Sequence, residues 1–190
     1  MTELDDTIDA ISRASVHATT ALLTEHGAAP APRIYLLDSA RPQPLTGYIT
    51  CRPYRRGRDA HAAITGLGAG ARASGATHVV VTWEDADLIA SISGPGDYPH
   101  GLAILAADIA HHRLTRHPFT PNLNSPNRSG APTVTPAWHR ADTIEAHPLP
   151  PCISTLLQIW RTFPVPDGAL EQMTTAGYTI RQTPASTACV

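Results

Sequence analysis

Residues 78–83 read His-Val-Val-Val-Thr-Trp, an unbroken apolar run of β-branched and aromatic side chains. It shows no polar–apolar alternation, so it predicts a strand buried inside the fold rather than one lying on its surface. A strand of that kind needs neighbours on its edges and elements packed against its faces. The preceding sequence supplies both. Residues 33–38 (RIYLLD) and 45–51 (LTGYITC) read as two strands separated by a proline-containing loop, paired antiparallel. Residues 59–74 read as a helix, with Asp59 as its cap and Ala60, Ile64, Leu67 and Ala71 on one face. The order over residues 33–83 is therefore β-β-α-β.

On either side of this unit the pattern turns helical. Residues 5–26 place Ile8, Ile11, Ala18 and Leu22 near helical spacing, with acidic residues in the first turn and Gly27 as a stop. Residues 152–163 (CISTLLQIWRTF) form an amphipathic helix with Ile153, Leu156, Leu157 and Trp160 as its apolar side. Short helices are expected at 85–93 and 167–176. Residues 102–117 are read as a hairpin turning near Ala110 and His111, because the next stretch would support an isolated helix poorly. That stretch, 118–151, holds eight of the chain's 18 prolines and is expected to wrap the surface as a long loop. The resulting expectation is one α+β domain over residues 1–178. Its sheet is small and mainly antiparallel, with helices on one face or at the ends, and residues 179–190 form a frayed tail.

Composition excludes some classes. At 190 residues the chain can bury a core without metals or disulfides. A formal charge of −2 gives no global pull toward nucleic acid or anionic lipid. All 14 basic residues are arginine, a bias that fits high-GC coding. The three cysteines (Cys51, Cys152, Cys189) contain no CxxC pair, so a disulfide framework or a thiolate zinc site is not expected. The acidic start lacks the basic–apolar pattern of a secretory signal, and no apolar stretch matches a membrane span. The expected setting is the cytoplasm, with no membrane partner.

Four arginines, Arg52, Arg55, Arg56 and Arg58, crowd the junction between the second strand and the helix at 59. A helix start offers free N–H groups to an anion, and a guanidinium fork binds an oxyanion through two hydrogen bonds. With Tyr54 as a stacking ring, these residues are the expected ligand site. The bland alternative is a solvated loop whose arginines pair with Asp59, Glu84 or Asp85. A second constellation is His100, His111, His112 and His117 with Asp97 and Asp108. Imidazole and carboxylate suit zinc or another divalent metal, and Asp108, His111, His112 and His117 are the candidate ligands. A hairpin at 102–117 would destroy the i,i+4 alignment that a helical metal site needs.

Three further features are weaker. Gly66, Gly68 and Ala71 match a G-x-G-x-x-A fingerprint, but the spacing to the next strand is too short for a crossover helix, so a glycine-interrupted helix explains them. Cys51 could serve as a nucleophile, yet a cysteine inside a strand is more often a small buried hydrophobe. Glu84 and Asp85 end a strand, where sites often form, but adjacent strand residues face opposite ways, so at most one enters a site, and Asp87 could join it. The expected function is a non-catalytic binding or interaction module for a small anionic ligand or an acidic protein partner, with no cofactor and self-association left open. The alternatives are a metal-dependent enzyme using the Asp/His cluster at 97–117 and, less favoured, a nucleic-acid-associated protein.

Overall fold

A computed structural model describes residues 2–126, 132–145 and 148–183. The chain opens with helix α1 (Glu3–His26), started by a reciprocal cap: the Asp5 N–H donates to Thr2 Oγ1, and the Thr2 N–H donates to the Asp5 carboxylate. It ends at Gly27, which takes a left-handed φ of 69°. A side chain there would be strained, and it would also run into the carbonyl of Pro132. Strands β1 (Arg33–Leu37) and β2 (Leu45–Thr50) follow, then helix α2 (Arg58–Ala73), strand β3 (His78–Glu84) and helix α3 (Asp85–Ser93). Strands β4 (Gly101–Ala107) and β5 (His112–Leu123) form the expected hairpin, turning at 108–111. The chain continues through β6 (Val134–Trp138), β7 (Asp142–Glu145), helix α4 (Pro151–Thr162), helix α5 (Ala169–Thr175) and β8 (Thr179–Gln182).

All strand pairs are antiparallel, in the order β6-β5-β4-β3-β1-β2-β8, with β7 paired to β5 beside β6. The α+β class is thus as expected, but the sheet has eight strands and is not small. Helices cover both of its faces, not one. Val79, Val81 and Trp83 of β3 pack with Ile64 and Leu67 of α2 and with Ile153, Leu156 and Trp160 of α4. Val80 faces the other way, joining Leu102 and Ile104 beneath Ile11 of α1. This is why β3 and β4 read as continuous apolar runs: period-2 alternation sends every side chain into one core or the other.

Two further expectations need correction. The proline-rich stretch is not a wrapping loop, since much of it is strand: the end of β5, then β6 and β7. Its prolines are placed where no ladder bond is lost. Pro121 and Pro136 sit directly opposite each other, a pairing that demands an N–H from neither. Beyond Pro118, β5 has no β4 neighbour, so its second edge is already free. Residues 179–182 are not frayed either; they form β8 and pair with residues 47–50 of β2. Cys189 and the rest of 184–190 lie outside the described residues, as do 127–131 and 146–147 of the proline-rich stretch.

The glycines of α2 are explained by contact. A side-chain carbon on Gly68 would strike the Leu156 carbonyl of α4, and one on Gly66 would strike the Tyr178 hydroxyl. The two helices meet at near-backbone distance, which offsets the roughly 1 kcal/mol each glycine costs a helix. Asp59 is not the cap of α2. Gly57 holds that position and makes no side-chain cap bond. Among the described residues no helix is long and apolar enough to cross a membrane.

Candidate functional site

The central strand β3 ends in two carboxylates that part company as expected. Asp85 is almost fully buried on the α2 side of the site, where its Oδ1 accepts from Trp83 Nε1 at 2.9 Å. Its Oδ2 accepts two hydrogen bonds from the Arg116 guanidinium, at 2.9 and 2.5 Å. Both oxygens are engaged, one of them by a guanidinium fork, so Asp85 is a structural pin between β3 and β5.

Glu84 faces the other way. Its side chain is 4% exposed. Oε2 accepts the Asp87 N–H at 2.6 Å and so caps α3. Oε1 accepts the Gly101 N–H at 3.2 Å and lies 3.2 Å from His100 Nδ1. The pairing of β3 with β4 brings these groups together, because Glu84 sits opposite Leu102 and the chain has just returned through His100 and Gly101. The His100 ring rests on Phe119 of β5, centroids 5.4 Å apart, and Phe119 in turn meets Trp138 edge-on at 5.0 Å.

These groups line a cavity of about 470 Å³ between the C-terminal end of α1, helix α3 and the start of β4. Glu84, Asp87 and Asp97 supply three carboxylates; Tyr98, His100 and Phe119 supply ring surface. Among the described residues, no guanidinium, serine, threonine or cysteine lines it. The arrangement can attract positive charge and shield it with aromatic faces. A carboxylate behind an imidazole also fixes the ring's orientation and can hold its Nδ1 proton.

The arginine loop is arranged differently from expectation. Arg52 is bound to Asp59, with Nη2 donating to Oδ1 at 2.5 Å. The other oxygen of Asp59 accepts the Arg55 N–H at 2.7 Å. These bonds, the Arg52 one first, hold the Asp59 carboxyl below its usual range. The negative charge that this corner could bind is thus already provided by the chain itself. Arg55, Arg56 and Arg58 are exposed, and Arg56 and Arg58 make no ion pair among the described residues. Tyr54 does not project as a stacking platform. Its ring packs against the main core, and burial pushes its hydroxyl up to about 12.

The metal set does not assemble. Among the described residues no three His, Cys, Asp or Glu side chains are placed to hold an ion. Asp108 is a turn residue: its Oδ1 accepts the N–H groups of Ala110 and His111, each at 2.6 Å. The bond from His111 is the main reason its carboxyl lies below the usual range. Arg161 of α4 clamps the same turn by donating to the carbonyls of Asp108 and His111. His111 is 85% exposed. His112 opens β5, and His117 lies five residues along it, under α1 and away from the turn. Cys51 is buried, and desolvation pushes its thiol up to about 12, the opposite of what a nucleophile requires.

Of the cavity's groups, the sequence pointed to Glu84 by its place at a strand end and to Asp87 by the turn that follows. It placed His100 and Asp97 only in the Asp/His cluster at 97–117, outside the four candidate metal ligands. Phe119 was hidden inside the proline-rich stretch. Comparison of the chain with protein-family models, curated proteins and solved structures gives no match.

Proposed function

We propose that the protein is a non-catalytic binding module whose ligand is a small molecule carrying a positive charge, such as an amine or guanidine. The observation that carries this reading is the buried Glu84 carboxylate beside a partly open cavity whose lining, among the described residues, holds two more carboxylates and no arginine. At neutral pH carboxylates are ordinarily ionised, and a cation entering this space would lose water but gain two kinds of partner. Among the described residues the lining holds no serine, threonine or cysteine, and its one hydroxyl, on Tyr98, donates to the Gly94 carbonyl, which favours binding over covalent chemistry. An anionic ligand, the expectation from the arginine loop, would meet like charge here, while in the loop Asp59 already engages Arg52 and the Arg55 N–H and leaves the Arg55, Arg56 and Arg58 side chains exposed.

The test is a thermal-shift and calorimetric screen with primary amines, guanidines and quaternary ammonium compounds. A saturable rise in melting temperature is expected with at least one of them; a ligand at one hundred times its Kd stabilises by about 2.7 kcal/mol. Asp97→Asn and Glu84→Gln should each weaken that binding, while carboxylates and sugars of similar size give no response that depends on Glu84. No response to any cation, or one unchanged in both variants, would remove the proposal.

A further inference from the structure

Beyond the cavity at Glu84, the α1 face of the sheet holds a buried ring nitrogen, on His117, with no hydrogen-bond partner among the described residues. Two adjoining cavities of about 320 and 420 Å³ run beside α1, and Ser12, Arg13 and His117 line both. The alternation of β5 puts Arg113, Thr115 and His117 on this face, opposite Ala106, Ile104 and Leu102 of β4. We propose that this groove is a second ligand site, one that takes the phosphate group of a small molecule, with Arg13 and His117 as its principal contacts.

Three observations support it. The Nε2 atom of His117 is buried and has no hydrogen-bond partner among the described residues, a state that costs free energy until an acceptor or donor arrives. Arg13 reaches the same cavities from α1 and makes no ion pair among the described residues. Hydroxyls ring the space: Ser12 on α1, and Thr115 and Thr143 bonded to each other at 3.1 Å across β5 and β7. A tetrahedral oxyanion can use all three kinds of donor at once, whereas an apolar guest would leave His117 unsatisfied.

The other charges around His117 decide the balance. Asp9 and His17 of α1 stand with Arg13 at the rims of these cavities. Arg113 of β5 shares a separate cavity lining with Asp5 and sits opposite Glu145 of β7, so it is a secondary contact. Burial lowers the basicity of His117 and so favours its neutral ring. A bound phosphate reverses that preference, so binding should be accompanied by proton uptake at this ring.

The experiment is an NMR titration of the histidine ring nitrogens of the whole chain with inorganic phosphate, at constant ionic strength with chloride as reference. A saturable shift of the His117 nitrogens is expected, together with a rise in the pH at which that ring titrates. Arg13→Gln should weaken the apparent affinity by about tenfold or more, in line with the loss of one charge-assisted contact. Arg56→Gln should leave it unchanged. The proposal fails if phosphate does no more than chloride, if Arg13→Gln keeps the full response, or if Arg56→Gln abolishes it. Because Arg13 is exposed, its replacement does not threaten the fold, and the phosphate readout is separate from the cation screen.

Discussion

The two faces of the sheet are built to different rules. The face under α2 and α4 is packed almost entirely with apolar side chains; the two helices meet so closely at Gly68, and Tyr178 lies so close to Gly66, that neither glycine leaves room for a side chain. Its few polar groups are matched: Trp160 Nε1 donates to the Ala76 carbonyl at 3.1 Å, and the Tyr178 hydroxyl donates to the Ala63 carbonyl at 2.7 Å. The face under α1 has one helix, a smaller apolar cluster and several cavities along the helix. It also holds the two buried side-chain atoms without partners among the described residues, Thr19 Oγ1 and His117 Nε2. A close-packed layer stabilises; an incompletely filled and polar layer can accept a ligand. We read the first face as the scaffold and the second as the working surface.

The largest effects should come from disturbing the scaffold face. Trp160→Ala is expected to cost about 3–5 kcal/mol in urea unfolding, and Gly68→Val should also be severely destabilising, since the Leu156 carbonyl cannot move without breaking the α2–α4 contact. The half-buried Trp138 on the α1 face should cost clearly less when replaced by Ala; equal losses would break the comparison. Next in size is Asp85→Ala. It strands the Arg116 guanidinium and the Trp83 N–H, so a loss of about 2–3 kcal/mol is expected, with little change in cation binding at the neighbouring Glu84.

A smaller effect is expected from pH. His117 binds its proton less readily in the folded chain than an ordinary imidazole of about 6.5. A depressed value means that the unfolded chain takes up the proton first, so this contribution to stability is present above that pH and is lost as pH falls. Unfolding measured from pH 7.5 to 5 should show a decline that is shallower in His117→Gln. Phosphate should make the wild-type decline shallower too. Smallest of all, Arg56→Ala and Arg58→Ala should change stability by less than about 0.5 kcal/mol and leave cation binding intact, because neither arginine has an ion-pair partner among the described residues.

The same contrast explains what could be read from the sequence. Helices α1, α2 and α4 and strands β1 to β4 bury one or both sides, and burial writes a period into the residues. The hairpin of β4 and β5 was legible for the same reason. Strands β6, β7 and β8 were not: each has four or five residues, mostly polar or interrupted by proline, held at the sheet's edges by backbone pairing more than by a hydrophobic face. The site suffered likewise. Glu84 and Asp87 were visible as strand-end carboxylates, but His100 meets Glu84 only through the register of two strands. The arginine cluster is visible by its density at a strand-to-helix junction, but the sequence does not show which of its groups the chain itself engages. Asp59, the counter-charge, had been weighed both as a cap and as a partner, and the geometry favours the partner.

The division of labour between the faces is tested most directly by mapping backbone amide shifts while the chain is titrated with a binding amine. Movement should be greatest at the N–H groups of Asp87 and Gly101, which donate to Glu84, and should be absent from residues 55–58 and from α4. Saturable shifts centred on residues 55–58, with Asp87 and Gly101 unmoved, would contradict the account.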